Sequence, residues 1–98
     1  MESTYCVYIL YSERLDRYYT GQTGFLSRRL SEHNGEDNGG STRSGRPWVL
    51  YLSIACESRL HAVRIERRIK QMKSRVYLER LKADSVLLGD LRLSCLPC

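Results

Sequence analysis

Two tyrosines in strand-like runs, Tyr8 and Tyr19, an arginine and a histidine one helical turn apart, Arg29 and His33, and a lone carboxylate, Glu66, among many cations are the side chains whose types and spacing could do chemistry. Brought together, they suit attack of water on a phosphodiester. That reaction needs an activated water, positive charge against a phosphorane-like state, and stabilisation of the leaving alkoxide. Arg29 can supply the charge, and Glu66 can hold a hard divalent ion that keeps most of its waters. One acidic ligand is consistent with a single ion, since too few acids cluster for a two-metal clamp. Each group also has an ordinary reading. The tyrosines could be half-buried strand residues, Arg29 could pair with Glu32 or Glu66, His33 could sit near a helix C-terminus, and Glu66 could neutralise Lys70 four residues on.

The elements that would position these groups follow from periodicity. Thr4 to Tyr11 alternates as a strand, with Tyr5, Val7, Ile9 and Tyr11 on one face and Cys6, Tyr8 and Leu10 on the other. A polar turn, Ser12 to Asp16, leads to Arg17-Tyr18-Tyr19-Thr20, ended by Gly21, so the pair reads as an antiparallel hairpin. Any even offset matching Tyr19 with Tyr8 or Leu10 puts both tyrosines on one face. Phe25 to Asn34 turns helical, with Thr23 as N-cap and Gly35 as a left-handed stop, and places Arg29 and His33 in the arc between Phe25 and Leu30. Gly35 to Arg46 reads as a loop or mobile flap, and Trp48 to Cys56 as a buried third strand. Ser58 caps a second helix to about Lys73, with a stripe of Ala62, Ile65, Ile69 and Met72, and Ser74 a third through about Ala83. From Asp84 to Cys98 no period emerges.

A chain of 98 residues supports one core. Its apolar runs are too short to span a bilayer, and no signal peptide opens it, so the expectation is a cytoplasmic, intracellular protein, nucleoid-associated if bacterial. Free thiols are then expected, with Cys6 and Cys56 as buried small hydrophobes, while Cys95 and Cys98 have the spacing of half a zinc site with no second pair to complete it. The net charge of +5 is uneven, with −2 over residues 1–40 and +7 over the rest. Residues 58–75 hold Arg59, Arg64, Arg67, Arg68, Lys70, Lys73 and Arg75 against Glu66 alone, a density suited to a polyanion or, in the plainer reading, a solvated basic face.

Cys6-Val7-Tyr8, Tyr19-Thr20-Gly21, Arg28-Arg29 with His33, and Glu66 within Ile65-Glu66-Arg67-Arg68-Ile69-Lys70, in that order, resemble the motif set of the GIY-YIG nuclease superfamily. Arg28 to Gly35, the Gly39-Gly40 pair and Gly45-Arg46-Pro47-Trp48 are similar to the nuclease domain of Slx-type structure-specific endonucleases and to small stand-alone bacterial GIY-YIG proteins. The resemblance runs from about Tyr5 to Leu81. It implies an α+β fold in the order β-β-α-β-α-α, a three-stranded antiparallel sheet flanked by helices, with residues 1–83 as the nuclease domain and 84–98 as a tail. By the same resemblance Tyr8 is the general base or orients the attacking water, Tyr19 lines its pocket, Arg29 stabilises the scissile phosphate, His33 assists proton transfer or holds Tyr8, and Glu66 binds Mg²⁺ or Mn²⁺. Cys6 stands where the first motif has glycine and Thr20 where the second has isoleucine. No match to the C-terminal asparagine of the homing branch is found, so a homing role is not expected. Only Cys95 and Cys98 follow where Slx-type enzymes carry a zinc domain and engage a scaffold subunit.

The expected activity is therefore endonucleolytic cleavage of DNA, on nicked, flapped or branched forms, without sequence reading. Arg43, Arg46, Arg64, Arg67, Arg68, Lys70 and Lys73 are the expected backbone contacts. A protein partner or homodimer is allowed for, and no membrane or nucleotide cofactor is expected. A non-catalytic nucleic-acid-binding module on the same fold, and a protein-interaction module using Trp48 and the apolar tail, are the alternatives.

Overall fold

Alternation in the first apolar run becomes the centre of a sheet. In the computed structural model, which describes residues 5–35, 40 and 42–97, β1 (Cys6–Ser12) lies between β2 (Arg17–Thr23) and β3 (Trp48–Ala55), antiparallel to both. The pairing of Leu10 with Tyr19 and of Tyr8 with Gly21 is the expected even offset, so Tyr8 and Tyr19 share a face. Against β3 the register slips between Ile9 and Leu10, leaving Tyr51 unopposed in a bulge.

Because side chains alternate, β1 feeds two cores. Val7 and Ile9 pack with Ile54, Ala62, Ile65, Ile69, Leu78 and Leu81 beneath α2 (Arg59–Met72) and α3 (Arg75–Ala83). Tyr8 and Leu10 pack with Trp48, Tyr19, Leu26 and Leu30 beneath α1 (Leu26–Asn34). Ser58 and Ser74 cap α2 and α3 by accepting from the His61 and Tyr77 amides. Met72, expected in the buried stripe, is 47% exposed, because the helix ends there and Lys73 turns the chain into the left-handed region at φ 47°.

Two expectations about α1 need correction. Thr23 accepts the Phe25 amide without being the N-cap, which is Phe25. Gly35 is extended, φ −72° and ψ 155°, and not left-handed. The helix end is closed differently, by the Gly35 amide on the Glu32 carbonyl and by Arg46 Nη1 donating to the Gly35 carbonyl at 2.8 Å. The loop expected over residues 35–46 falls partly on 36–39 and 41, outside the described residues, and ends in a 3-10 turn, Arg43–Gly45.

The stretch after Asp84 forms a fourth helix, α4 (Ser85–Ser94), capped by the Asp84 carboxylate on the Val86 and Leu87 amides. Leu91 and Cys95 enter the α2 and α3 core. The buried His61 ties α4 down, with Nδ1 accepting the Glu57 amide and Nε2 donating to the Arg92 carbonyl at 2.9 Å, while Arg92 Nε donates to the Ala55 carbonyl. His61→Ala would leave the part-buried Glu57 amide and Arg92 carbonyl without this partner and open a void where the buried ring sat. We expect it to cost about 3 kcal/mol by urea denaturation, with faster amide exchange in residues 85–94. Unchanged exchange there would remove His61 as the tether.

Among the described residues Cys6, Cys56 and Cys95 are free and buried, as expected for the first two. Cys98 lies outside the described residues. None of the described helices is long and apolar enough to cross a membrane.

Candidate active site

Tyr8 points from the central strand across Gly21 of β2, where a Cβ would stand 2.6 Å from the phenol oxygen. The ring is 1% exposed. Its hydroxyl lies 3.0 Å from His33 Nε2 and receives Arg29 Nε at 3.4 Å, so α1 places both expected helical partners on one oxygen. His33 Nδ1 in turn lies 2.9 Å from Thr42 Oγ1. Tyr19 packs edge-on against His33 with ring centroids 4.9 Å apart, and 6.3 Å from Tyr8. Four of the five expected side chains thus form one cluster.

The wall behind that cluster is stapled by residues that periodicity did not single out. Asn34 grips the Trp48 backbone at both ends, its amide nitrogen donating to the carbonyl at 2.9 Å and its oxygen accepting the peptide N–H at 2.6 Å. Trp48 Nε1 donates to the Thr42 carbonyl, and a Cβ on Gly45 would collide with the Trp48 ring. Gly21 and Gly45 were legible in principle, since glycine inside a strand or beside a bulky ring often marks close approach. Thr42 offered no signal.

Glu66 opens on a groove of its own, while its charge still acts on the Tyr8 phenol. Its carboxylate pairs with Lys70 Nζ at 2.8 Å on an open groove of about 410 Å³ lined by Val63, Glu66, Arg67, Lys70, Gln71 and Lys73. The ordinary readings of Glu66 and Arg29 are therefore realised too, as Arg29 Nη1 pairs with Glu32 at 3.0 Å. Among the described residues no three His, Cys, Asp or Glu side chains gather as a metal site. A lone carboxylate on a groove wall fits an ion that keeps most of its waters and completes its shell from substrate phosphate.

The expected DNA contacts separate. Arg67, Lys70 and Lys73 share the Glu66 groove, Arg43 is exposed in the 3-10 turn, and Arg64 and Arg68 face another groove. Arg46 is half-buried and spends Nη1 and Nε on the Gly35 and Arg43 carbonyls, which makes it a brace of the loop.

Electrostatics keeps the resting proton on the phenol. Burial raises the Tyr8 phenol above its ordinary 10, Arg29's hydrogen bond pulls it back, and the Tyr19 and Glu66 charges add smaller rises. Burial, then the Arg29 charge, holds His33 below its ordinary 6.5. Neutral His33 can accept the phenol O–H at Nε2 while its Nδ1–H donates to Thr42.

The chain matches the family model described as the GIY-YIG catalytic domain over residues 4–80. It belongs to the GIY-YIG family. GIY-YIG relatives with curated names include the structure-specific endonuclease subunit slx1 of Pyrenophora tritici-repentis, 32% identical over 81 residues, covering 78% of this chain and 22% of that protein. The SLX1 subunit of Podospora anserina is 49% identical over 56 residues, covering 52% and 16%. A UPF0213 protein of Halobacterium salinarum is 42% identical over 55 residues, covering 56% and 71%. The chain spans 14% and 22% of the first two Slx1 subunits it matches. No solved structure gives a significant match. The three-stranded antiparallel sheet with flanking helices agrees with the GIY-YIG fold, and α4 lies beyond the GIY-YIG match.

A neutral His33 has a consequence for stability. The folded protein holds this proton less readily than the unfolded chain, so the unfolded state binds more protons just below pH 6.5. The stability His33 contributes is complete above about that pH and is lost as the pH falls through 6.5 towards its lower folded value. Unfolding midpoints in urea across this window should fall with acidification in the native protein, and fall less in His33→Gln.

Proposed function

We propose that this chain is the catalytic domain of a metal-dependent endonuclease that hydrolyses DNA phosphodiesters, with Tyr8 in the proton path of the attacking water. The observation that carries it is the Tyr8 hydroxyl, held jointly by His33 Nε2 and Arg29 Nε inside a GIY-YIG catalytic domain. As water attacks, the Tyr8 oxygen draws its proton while the phenol proton passes to His33 Nε2. Arg29, with a half-exposed side chain, links the buried phenol to solvent and to the charge that develops on phosphorus. Arg67, Lys70, Lys73 and Arg43 hold the neighbouring backbone. Glu66 would carry Mg²⁺ or Mn²⁺. When bound, the ion would stabilise the leaving alkoxide and replace the negative field that disfavours the Tyr8 phenolate.

The Slx1 relatives are named as subunits of structure-specific endonucleases, which supports nicked, flapped or branched DNA as substrate, a repair or recombination setting and a partner subunit. The buried phenol and the Glu66–Lys70 pair favour, as a second reading, a DNA-binding module that no longer cuts. The deciding experiment is cleavage of labelled nicked, flapped and four-way DNA with Mg²⁺ or Mn²⁺ and with chelator. Metal-dependent cutting is expected, with the metal concentration for half-maximal rate raised about tenfold or more in Glu66→Ala, a loss of about 1.4 kcal/mol in ion affinity. Salt-sensitive binding without cutting under any of these conditions would establish the binding module.

A further inference from the structure

The cations of α2 do not form one surface. Arg64 and Arg68 lie two residues either side of Glu66, hence about 160° from it around a helix of 3.6 residues per turn. With Arg67 and Gln71 they line a second groove of about 180 Å³, whose other wall is Ser94 and Cys95 at the end of α4. The cleavage chemistry above uses neither Arg64 nor Arg68.

Three guanidiniums around one concavity repel each other unless something negative sits among them. The ion pairs among the described residues involve Arg28, Arg29, Lys70 and Arg75, and none of these three. The negative end of α4 would be the ordinary partner, but its Leu91, Arg92 and Leu93 carbonyls already accept hydrogen bonds. Ser94 Oγ donates to Leu91, His61 Nε2 to Arg92, and the Cys95 and Leu96 amides to Leu93. The arginine forks therefore point at a polar hollow with room for about six waters at ~30 Å³ each, or for a phosphate group and part of its shell.

We propose that Arg64 and Arg68, with Arg67 and Gln71 on the ridge shared with the Glu66 groove, form a second phosphodiester-binding site that grips nucleic-acid backbone on the flank of α2 away from Glu66. It rests on the reading that the partner is DNA. α4 walls the site through Ser94 and Cys95, so a segment outside the family match shapes a groove that the catalytic domain alone would lack. The substrate is then held on both sides of the basic helix, with the scissile bond on one side only.

The test is binding of labelled duplex and four-way DNA in chelator across a salt series. Arg64→Ala/Arg68→Ala is compared with Arg17→Ala/Arg80→Ala, which removes the same charge from exposed residues outside both grooves. Losing two phosphate contacts should reduce the slope of log affinity on log salt by about two and weaken binding about tenfold or more, with the control moving less than half as far. Arg64→Lys/Arg68→Lys should recover the slope and only part of the affinity, because the fork is gone. Equal losses in groove and control variants, or none in the groove variant, would overturn the proposal. So would amide NMR shifts at Gln71 and Ser94 that inorganic phosphate saturates and duplex DNA does not produce, since the site would then serve a small anion. All of this is read without cleavage. A protein that never cuts leaves the groove standing, and a nuclease whose groove variant binds normally removes the groove alone.

Discussion

Tyr8→Phe is expected to slow metal-dependent DNA cleavage by about a hundredfold to ten-thousandfold, the range of a general acid or base, equivalent to roughly 3 to 5 kcal/mol in the barrier. The substitution removes one oxygen and nothing else. The ring stays wedged between Tyr19 and His33, and the folded state loses about 1 kcal/mol as His33 Nε2 and Arg29 Nε each lose a partner. DNA affinity should be unchanged, because the phenol carries no charge at neutral pH and is buried. Single-turnover rates at saturating protein, beside a binding isotherm, separate the two effects. A rate within about tenfold of native would take Tyr8 out of the proton path and leave Arg29 and the metal site to account for cleavage.

That the two tyrosines would meet was legible from parity alone, since every even hairpin offset puts Tyr8 and Tyr19 on one face. The serine caps of α2 and α3 were legible for a similar reason, as each depends on one side chain and its own next turn. What the sequence withheld depends on contacts between distant segments. α4 shows no period because Leu87, Leu88 and Leu91 face the core while Val86 and Leu93 stay 70% and 68% exposed, and its docking uses distant partners, His61 on the Arg92 carbonyl and Arg92 on the Ala55 carbonyl. Arg46 looks like a DNA contact by composition, yet the end of α1 lacks a left-handed glycine and takes the guanidinium for its own carbonyl. The basic run of α2 reads as one patch in one dimension, and becomes two grooves once the helix has a core side and α4 covers part of its flank.

The same logic makes a single methyl group at Gly21 a damaging change although no reacting group is altered. An added Cβ would lie 2.6 Å from the Tyr8 oxygen and 2.7 Å from its Cζ, closer than real side-chain contacts allow. No backbone strain is involved, so the whole effect is space. Tyr8 cannot retreat, since its ring is fully buried against Tyr19, His33 and Leu10 and hydrogen-bonded to α1. Gly21→Ala is therefore expected to cost about 1 to 3 kcal/mol in stability, as other overpacked cores do. The shifted phenol should reduce cleavage about a hundredfold or more, because displacements of about 1 Å are felt on that scale. Gly89→Ala is the matched control, as nothing lies within 4 Å of its Cβ position and it sits inside α4, where alanine is neutral or gains up to about 1 kcal/mol. In a Tyr8→Ala background the Gly21→Ala penalty should largely vanish, a coupling that denaturation of the four proteins measures directly. Additive penalties would mean that Gly21 is required for some reason other than the room it leaves for the Tyr8 phenol.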